Sequence, residues 1–511
     1  MKTIILLFAL IISAASVNAQ KITYSEVDRE DQREMNFEII GKVGGNVQIY
    51  KDFRNKHSLC IYSPDMVQKN KIDLQFLPDR VINTDFVAYP DFSYMIYQYH
   101  KKGILHCTLA KFNADGKLVT EPTDLDTTEI SSFSNESKIY SVINSDDKKK
   151  IMVFKIKKQH DKAYQMTTML YNNQFTLLKK SQFIMQINDR DGIFTDFLLD
   201  NDGDMVFGRC ARVGGREYIN EVNLIFKAAE DDKIVQIPVD LKDKTLDEVK
   251  LKFDNFNKRI ILTSLYYKQR KGNIDGLYTM VWDKLNRSKA NESSFLFNDS
   301  LRVDARMDNA SLRTAFNDHF IRQVIPAQDG SYAIATELYF SSSRGSTWNR
   351  YDYLYGYNMF SPYNYYGFYS PFNRFGYYGL YDPFNRFNQN NIVRYTTGNV
   401  MVFYFDKEGK LMWSNTIRKE QYDDNTDSFI SYQLFNTGSE LRFLFNLREK
   451  RDVLLNSATI DGNGTLKRQP TLKNLMRDYE FMPKYGKQIG LRQIILPCLY
   501  KNYISFANVE F

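Results

Sequence analysis

A turn followed by an apolar run recurs along most of this chain, and that recurrence limits the fold more than any single motif does. The runs start at Tyr94, Ile151, Met205, Ile260, Tyr332, Leu441 and Tyr503. Ile151 to Met205 is 54 residues and Met205 to Ile260 is 55; Ile260 to Tyr332 is longer, at 72. In several copies a second element follows, in which an aromatic or aliphatic residue leads into a turn and then a leucine. It spans Phe112 to Leu118, Tyr171 to Leu177, Phe405 to Leu411 and Ile460 to Leu466. Apolar residues alternate with polar ones within the runs, and aromatic and β-branched types dominate, which is the two-residue period of strands. Asn, Asp and Gly at the tips supply the positive φ that tight hairpins need. Two hairpins per repeat make four antiparallel strands.

The interval from Tyr332 to Leu441 is 109 residues, and removing the 55 residues 341–395 leaves 54, which restores the period. The insertion is therefore a loop between the second and third strands of one repeat. Seven repeats are counted, with six and eight as alternatives. Only eight residues separate Tyr503 from the C-terminus, too few for a second hairpin, while the Ile49 to Tyr62 region reads as a second hairpin without its first. The chain ends are thus expected to share one unit and leave no open sheet edge. Over residues 47–511 the period and hairpin pattern resemble those of β-propeller repeat proteins. No Gly-His or Trp-Asp signature recurs from repeat to repeat, Trp282-Asp283 being a single instance, so the resemblance is to the repeat class and to no particular family. It implies an all-β chain forming a single β-propeller of four-stranded blades. It also implies ligand binding by the loops from second to third strands and from fourth strands to the next unit. Stacked β-sandwich domains are the alternative.

Residues 1–19 read as a secretory signal, with Lys2, an apolar stretch from Ile4 to Ala15, and Val-Asn-Ala ahead of Gln20. Residues 20–46 are a lead-in segment. No other stretch has the length and apolarity of a transmembrane segment, and no cysteine follows the expected cut, so the product is expected to be exported, soluble, periplasmic or extracellular, and not lipid-anchored. With Lys2 removed, 67 Lys and Arg face 61 Asp and Glu, a balance that gives no reason to expect nucleic acid as a partner. Cys60, Cys107, Cys210 and Cys498 are far apart and lie in strand-like runs, so buried free thiols are expected.

No catalytic, cofactor or metal motif is present. Asp200 to Asp204 has its glycine two places early for a calcium loop and is read as a turn. The five histidines are read as solvated or strand-edge residues, and residues 470–487, with Leu472, Leu475 and Met476 at helical spacing, as a short helix. Function is read from the insertion. Its aromatics are too numerous to bury in one loop, and exposed aromatic and arginine side chains are the chemistry of interaction hot spots. Candidate binding residues are Arg350, Tyr355, Tyr365, Tyr369, Phe372, Arg374, Phe375, Tyr377, Tyr381, Phe384, Arg386 and Phe387, including the repeated Pro-Phe-Asn-Arg-Phe. The other loops of that face carry basic residues such as Lys101, Lys102 and Arg212, with acidic neighbours such as Asp247 and Asp424 that can neutralise them. The expected role is a non-enzymatic protein–protein interaction module of a bacterial cell envelope, with another envelope protein or an outer-membrane complex as partner. A carbohydrate-binding or glycoside-cleaving propeller, stacking a glycan on the same aromatics, is the alternative.

Overall fold

The computed structural model describes residues 21–511 apart from 32–34, 131–137, 159–162, 187–191, 213–217, 270–271, 308–309, 344–347, 349, 351–353, 355–392, 425, 450–451 and 473–478. The described residues form an all-β, propeller-like fold of seven antiparallel sheets, most of them four-stranded. One sheet has nine strands. It is two four-stranded runs stitched together by Thr245–Leu246, where Leu246 pairs Ile219 of one run and Tyr266 of the next. Dividing it there gives eight successive units, at residues 36–73, 81–129, 140–186, 192–239, 250–296, 319–424, 432–472 and 479–510.

Six of the expected runs, from Tyr94 to Leu441, lie in the second strand of their unit. The extra unit comes from the chain ends. Asn36–Val43 is a strand, so the Ile49 to Tyr62 region sits in the middle of a complete four-stranded unit rather than being half of a shared one. Its buried Glu38, and Gly41 at φ 141°, break the apolar alternation that would have revealed it. The Tyr503 run is the third strand of the last unit, and Lys21–Tyr24 is its fourth, with Lys21 opposite Glu510 and Tyr24 opposite Ala507. Among the described residues strand structure thus begins at Lys21, inside the expected lead-in.

In the first unit the fourth strand is the least buried. Asn36–Val43 is buried at six of eight positions, whereas Gln68–Asp73, the fourth strand of that unit, has none buried. In Leu177–Gln186, Ser181, Phe183 and Met185 turn inward while Gln182, Ile184 and Gln186 face solvent, the alternation of a strand covered on one face. The hairpin tips behave as their chemistry dictates. Asn113 Oδ1 accepts from the backbone N–H groups of Asp115 and Lys117 at 3.0 and 2.9 Å, and Asp461 Oδ1 from those of Asn463 and Thr465 at 3.0 and 2.8 Å. Gly116, Gly409 and Gly464 take φ of 79°, 82° and 80°, and Phe175 occupies the same place in its turn at 58°.

Apolar side chains fill the space between successive units. Ile61 and Phe112 join the first to the second, Ile96 and Val153 the second to the third, and Phe154 and Phe207 the third to the fourth. Leu224 and Tyr278, Leu277 and Ile334, Val402 and Phe443, and Leu444 and Ile494 continue the series. A further cluster joins Ile39 of the first unit to Phe506 of the last. Burying each such side chain is worth about 1.5–3 kcal/mol. Residues 21–31 reinforce this contact. Ser25 Oγ accepts from Phe506 N–H at 3.0 Å, Asp31 O accepts from Ile504 N–H at 2.7 Å, and the Asp31 carboxylate pairs with Lys51 in the interior.

Other expectations are corrected. Within residues 470–487 the described elements are the end of strand Leu466–Leu472, strand Tyr479–Phe481 and a single 3-10 turn at Pro483–Tyr485; Leu475 and Met476 lie outside the described residues. The long interval before Tyr332 instead holds the helix Asp299–Ala305, capped by the Asn298 side chain accepting from Leu301 N–H. All four cysteines are free and buried.

His319 is not a solvated histidine but wholly buried. Its Nε2–H donates to Ala305 O at 3.2 Å, which leaves Nδ1 to accept from the Thr336 hydroxyl at 3.1 Å, so the ring is neutral. Burial pushes its pKa down to about 4. The unfolded chain therefore binds more protons than the folded one between that value and the ordinary 6.5, and stability is lost as pH falls through this window. The full contribution is about 3 kcal/mol. Denaturation midpoints measured from pH 7 to pH 4 should drop accordingly, and His319→Gln should flatten the drop.

Candidate functional site

The insertion leaves the body between the second and third strands of the sixth unit, as expected. Its legs are Tyr332–Ser343 and Val393–Phe405, still paired at Ser343 and Val393. The outer strand continues as Gln421–Asp424, which pairs the return leg with Arg394 opposite Asp424. Arg394 donates to Asp424 at 2.8 and 3.1 Å and lies over the Tyr422 ring at 4.6 Å, all at the surface.

Trp348, Arg350 and Leu354 are the described residues beyond the first leg, and they turn back onto the body. Arg350 Nε is 3.0 Å from both carboxylate oxygens of Asp247 and Nη2 is 2.6 Å from one of them, while Nη1 donates to Asn317 O at 3.1 Å. The guanidinium lies 3.7 Å from the Phe320 ring centroid. Burial opposes its charge, but the Asp247 carboxylate outweighs burial and raises the pKa above the ordinary arginine value. Tyr267 donates to Asp247 at 2.8 Å, and the neighbouring Glu248 accepts from Ile321 N–H at 2.6 Å. Trp348 Nε1–H donates to Asp318 at 2.8 Å, and its ring meets Tyr339 edge-on at 5.8 Å. Leu354 packs against the apolar cluster between the fourth and fifth units. Trp348, Arg350 and Leu354 thus strap the arm of the sixth unit to the segment that leads into the fifth.

Arg350 is the one member of the expected binding set that lies among the described residues, and there its side chain pairs with Asp247 within the chain. Its bidentate pairing, a strong use of the guanidinium, is spent inside the chain. Tyr355, Tyr365, Tyr369, Phe372, Arg374, Phe375, Tyr377, Tyr381, Phe384, Arg386 and Phe387 lie outside the described residues. Trp348 and Asp318 were missed. Asp247 was noticed only as a loop acid, and nothing in the spacing announces a pair 103 residues apart.

Beneath the arm lies a buried ionic knot. Glu337 pairs with Lys419 at 2.8 Å and with Arg322 at 3.1 Å, and accepts from the Ser431 hydroxyl. Burial pushes the Glu337 pKa up, but Lys419 and Arg322 more than offset it and hold the carboxyl below its usual range. Of the basic loop residues, Lys101 and Lys102 are exposed but Arg212 is buried. The expected neutralisation is seen at Asp247 with Arg350 and at Asp424 with Arg394.

Asp200, Asp202 and Asp204 form the hairpin turn expected of them, and all three carboxylates converge on the Lys284 ammonium. Among the described residues no group of three or more His, Cys, Asp or Glu is placed to hold a metal ion, and no helix is long and apolar enough to cross a membrane.

Replacing Arg350 with Ala should lift the strap without unfolding the body. Once the strap lifts, Asp247 regains water, so the cost is limited to on the order of 1–3 kcal/mol. Hydrogen exchange should accelerate at Tyr339 to Ser343, Trp348, Arg350 and Leu354 and stay unchanged in the first three units.

No family model matches the chain, and no curated protein matches it. Among solved structures it is similar to prolyl oligopeptidase B from Galerina marginata, with 8% identity and a TM-score of 0.41 over 93% of this chain and 56% of that one. It spans about half the length of that enzyme. It is also similar to the polysaccharide lyase Uly1, with 11% identity and a TM-score of 0.40 over 83% of this chain and 89% of that one. A third similar structure is the Synechocystis apocarotenoid oxygenase, with 10% identity and a TM-score of 0.34 over 97% of this chain and 94% of that one. The fold stands on this chain's own strand pairing.

Proposed function

We propose that the chain is a non-enzymatic protein–protein interaction module of a bacterial cell envelope, an exported β-propeller that docks on another envelope protein through its aromatic, arginine-bearing insertion. The observation that carries this reading is the anchored root. The bidentate Arg350–Asp247 pair and the Trp348–Asp318 bond hold the start of the insertion against the body. A loop held at its root loses less entropy on binding than one hinged freely, so its aromatics can contribute more of their contact energy to affinity. Tyr, Phe and Arg supply the ring area and the polar handles of interface hot spots.

In this reading the eight units are eight blades in a closed ring. The apolar cluster between the first unit and the last, and the pairing of Lys21–Tyr24 with Tyr503–Glu510, support closure. Residues 1–19 direct export, and the mature protein is soluble in the periplasm or outside the cell.

The test is capture from the native envelope with the tagged full chain and with a variant in which residues 356–391 are replaced by a short Gly-Ser linker. One defined partner, retained by the full chain and lost from the variant at unchanged melting temperature, is expected. Equal capture by both would overturn the reading, and binding of a glycan in place of a protein would favour the carbohydrate alternative.

A further inference from the structure

In and near the first unit, away from the insertion, five buried polar atoms have no hydrogen-bond partner among the described residues. They are both carboxylate oxygens of Glu38, Asp52 Oδ1, His57 Nε2 and Lys138 Nζ. Glu38 stands opposite Tyr50, and Asp52 opposite both Asn36 and His57. Directly opposed residues share a face of a sheet, as do residues two apart on a strand, so Asn36, Glu38, Tyr50, Asp52 and His57 lie on one face. The second unit covers that face with Phe86, while Asp85, the preceding residue on the same strand, stands opposite Ile96 and faces the third unit. Tyr50 and Phe86 rings are 5.1 Å apart, Asn83 holds Asp85 at 2.6 Å, and Lys138 lies 3.9 Å from Asp85.

Buried polar groups are normally satisfied, and each exception asks for a cause. Elsewhere in the chain buried acids are satisfied by backbone, Asp196 by Leu251 N–H and Glu248 by Ile321 N–H, both at 2.6 Å. Glu38 has no such donor, although it is only 4% exposed.

We infer that Glu38, Asp52 and Tyr50 form a binding site for a small organic ammonium ion. Charge selects the ligand. Glu38 and Asp52 bring two carboxylates to this face and Lys487 of the last unit acts on Glu38 with one ammonium group, so the pair, once both are ionised, is one cation short. The ligand's ammonium donates to the free oxygens of Glu38 and to Asp52 Oδ1. The Tyr50 ring, stacked on His57, offers an aromatic face of the kind that attracts organic cations. Asp52, with a side chain 26% exposed, is the mouth, and Glu38 is the floor. A bare inorganic cation gives up more hydration to enter such a site than an organic ammonium does.

Without ligand, burial pushes the Glu38 carboxyl well above its ordinary pKa, Lys487 lowers it and Asp85 raises it, so burial favours the neutral acid over the ionised form. Binding a cation therefore releases its proton to solvent.

Thermal melting and calorimetry of the purified full chain with ethanolamine, putrescine, choline and potassium chloride test this. At least one organic amine is expected to raise the melting temperature in a concentration-dependent way. Its binding heat should differ between two buffers of unequal ionisation enthalpy, as proton release requires. Glu38→Gln mimics the neutral acid, so it should melt normally by itself yet bind at least tenfold more weakly, and Asp52→Asn should weaken binding separately. No response to any amine, an equal response to potassium, or amine binding unchanged in Glu38→Gln would each overturn the inference.

Discussion

Glu337→Gln is expected to lower stability by about 3–5 kcal/mol, because it leaves buried cations without their carboxylate. Lys419 and Glu337 are both fully buried at the side chain, and Arg322 is nearly so. With Glu337 gone, Lys419 keeps only neutral partners, the Thr397 hydroxyl at 3.0 Å and Gln421 Oε1 at 2.7 Å. Burial already depresses the Lys419 pKa, so the lysine would shed its proton more readily in the variant. Removing both charges should cost less than removing one, since an apolar pair of similar volume does not need the missing partner. Urea midpoints of Glu337→Gln and of the double variant Glu337→Gln with Lys419→Met give the comparison, and the double variant should recover much of the loss. Equal stability of the single variant and the parent would show that the ionic knot carries no weight.

Removing residues 21–31 should be at least as damaging. The loss takes away the Asp31 partner of Lys51, whose side chain is almost wholly buried, and a buried charge left alone costs about 3–5 kcal/mol. It also strips Lys21–Tyr24 from Tyr503–Glu510 and exposes a strand edge that invites pairing with another chain. The truncated protein should have a lower denaturation midpoint and form oligomers visible by light scattering, and a peptide of residues 20–31 should reverse part of both effects. A truncated protein that stays monomeric and equally stable would contradict closure through the chain ends.

Much of the architecture was legible because each hairpin carries its own local signal. Asn113 with Gly116, and Asp461 with Gly464, mark their turns by chemistry that acts within five residues, and the insertion was placed between the right strands by arithmetic on the period. What was missed depends on contacts between distant segments. Asn36–Val43 hides its strand character behind Glu38 and Gly41, and Lys21–Tyr24 is too short to show a period. The helix Asp299–Ala305 has a clear cap in Asn298, but seven residues cannot display helical periodicity. The same holds for the candidate sites. The composition of the insertion was plain, yet Arg350 stood among arginines meant for a partner, and only the folded chain brings Asp247 to it. The cluster of Glu38, Asp52 and His57 likewise needs three strands in register before its residues meet.

The most direct test of the docking account places a photo-crosslinking amino acid at Tyr369 or Phe384 of the insertion. A control position is Phe256, a 73% exposed residue in a turn between first and second strands, on the side opposite the insertion. After illumination in the native envelope, the account predicts one adduct of defined mass from both insertion positions and none from Phe256. Absence of an adduct from either insertion position, or the same adducts from Phe256, would contradict it.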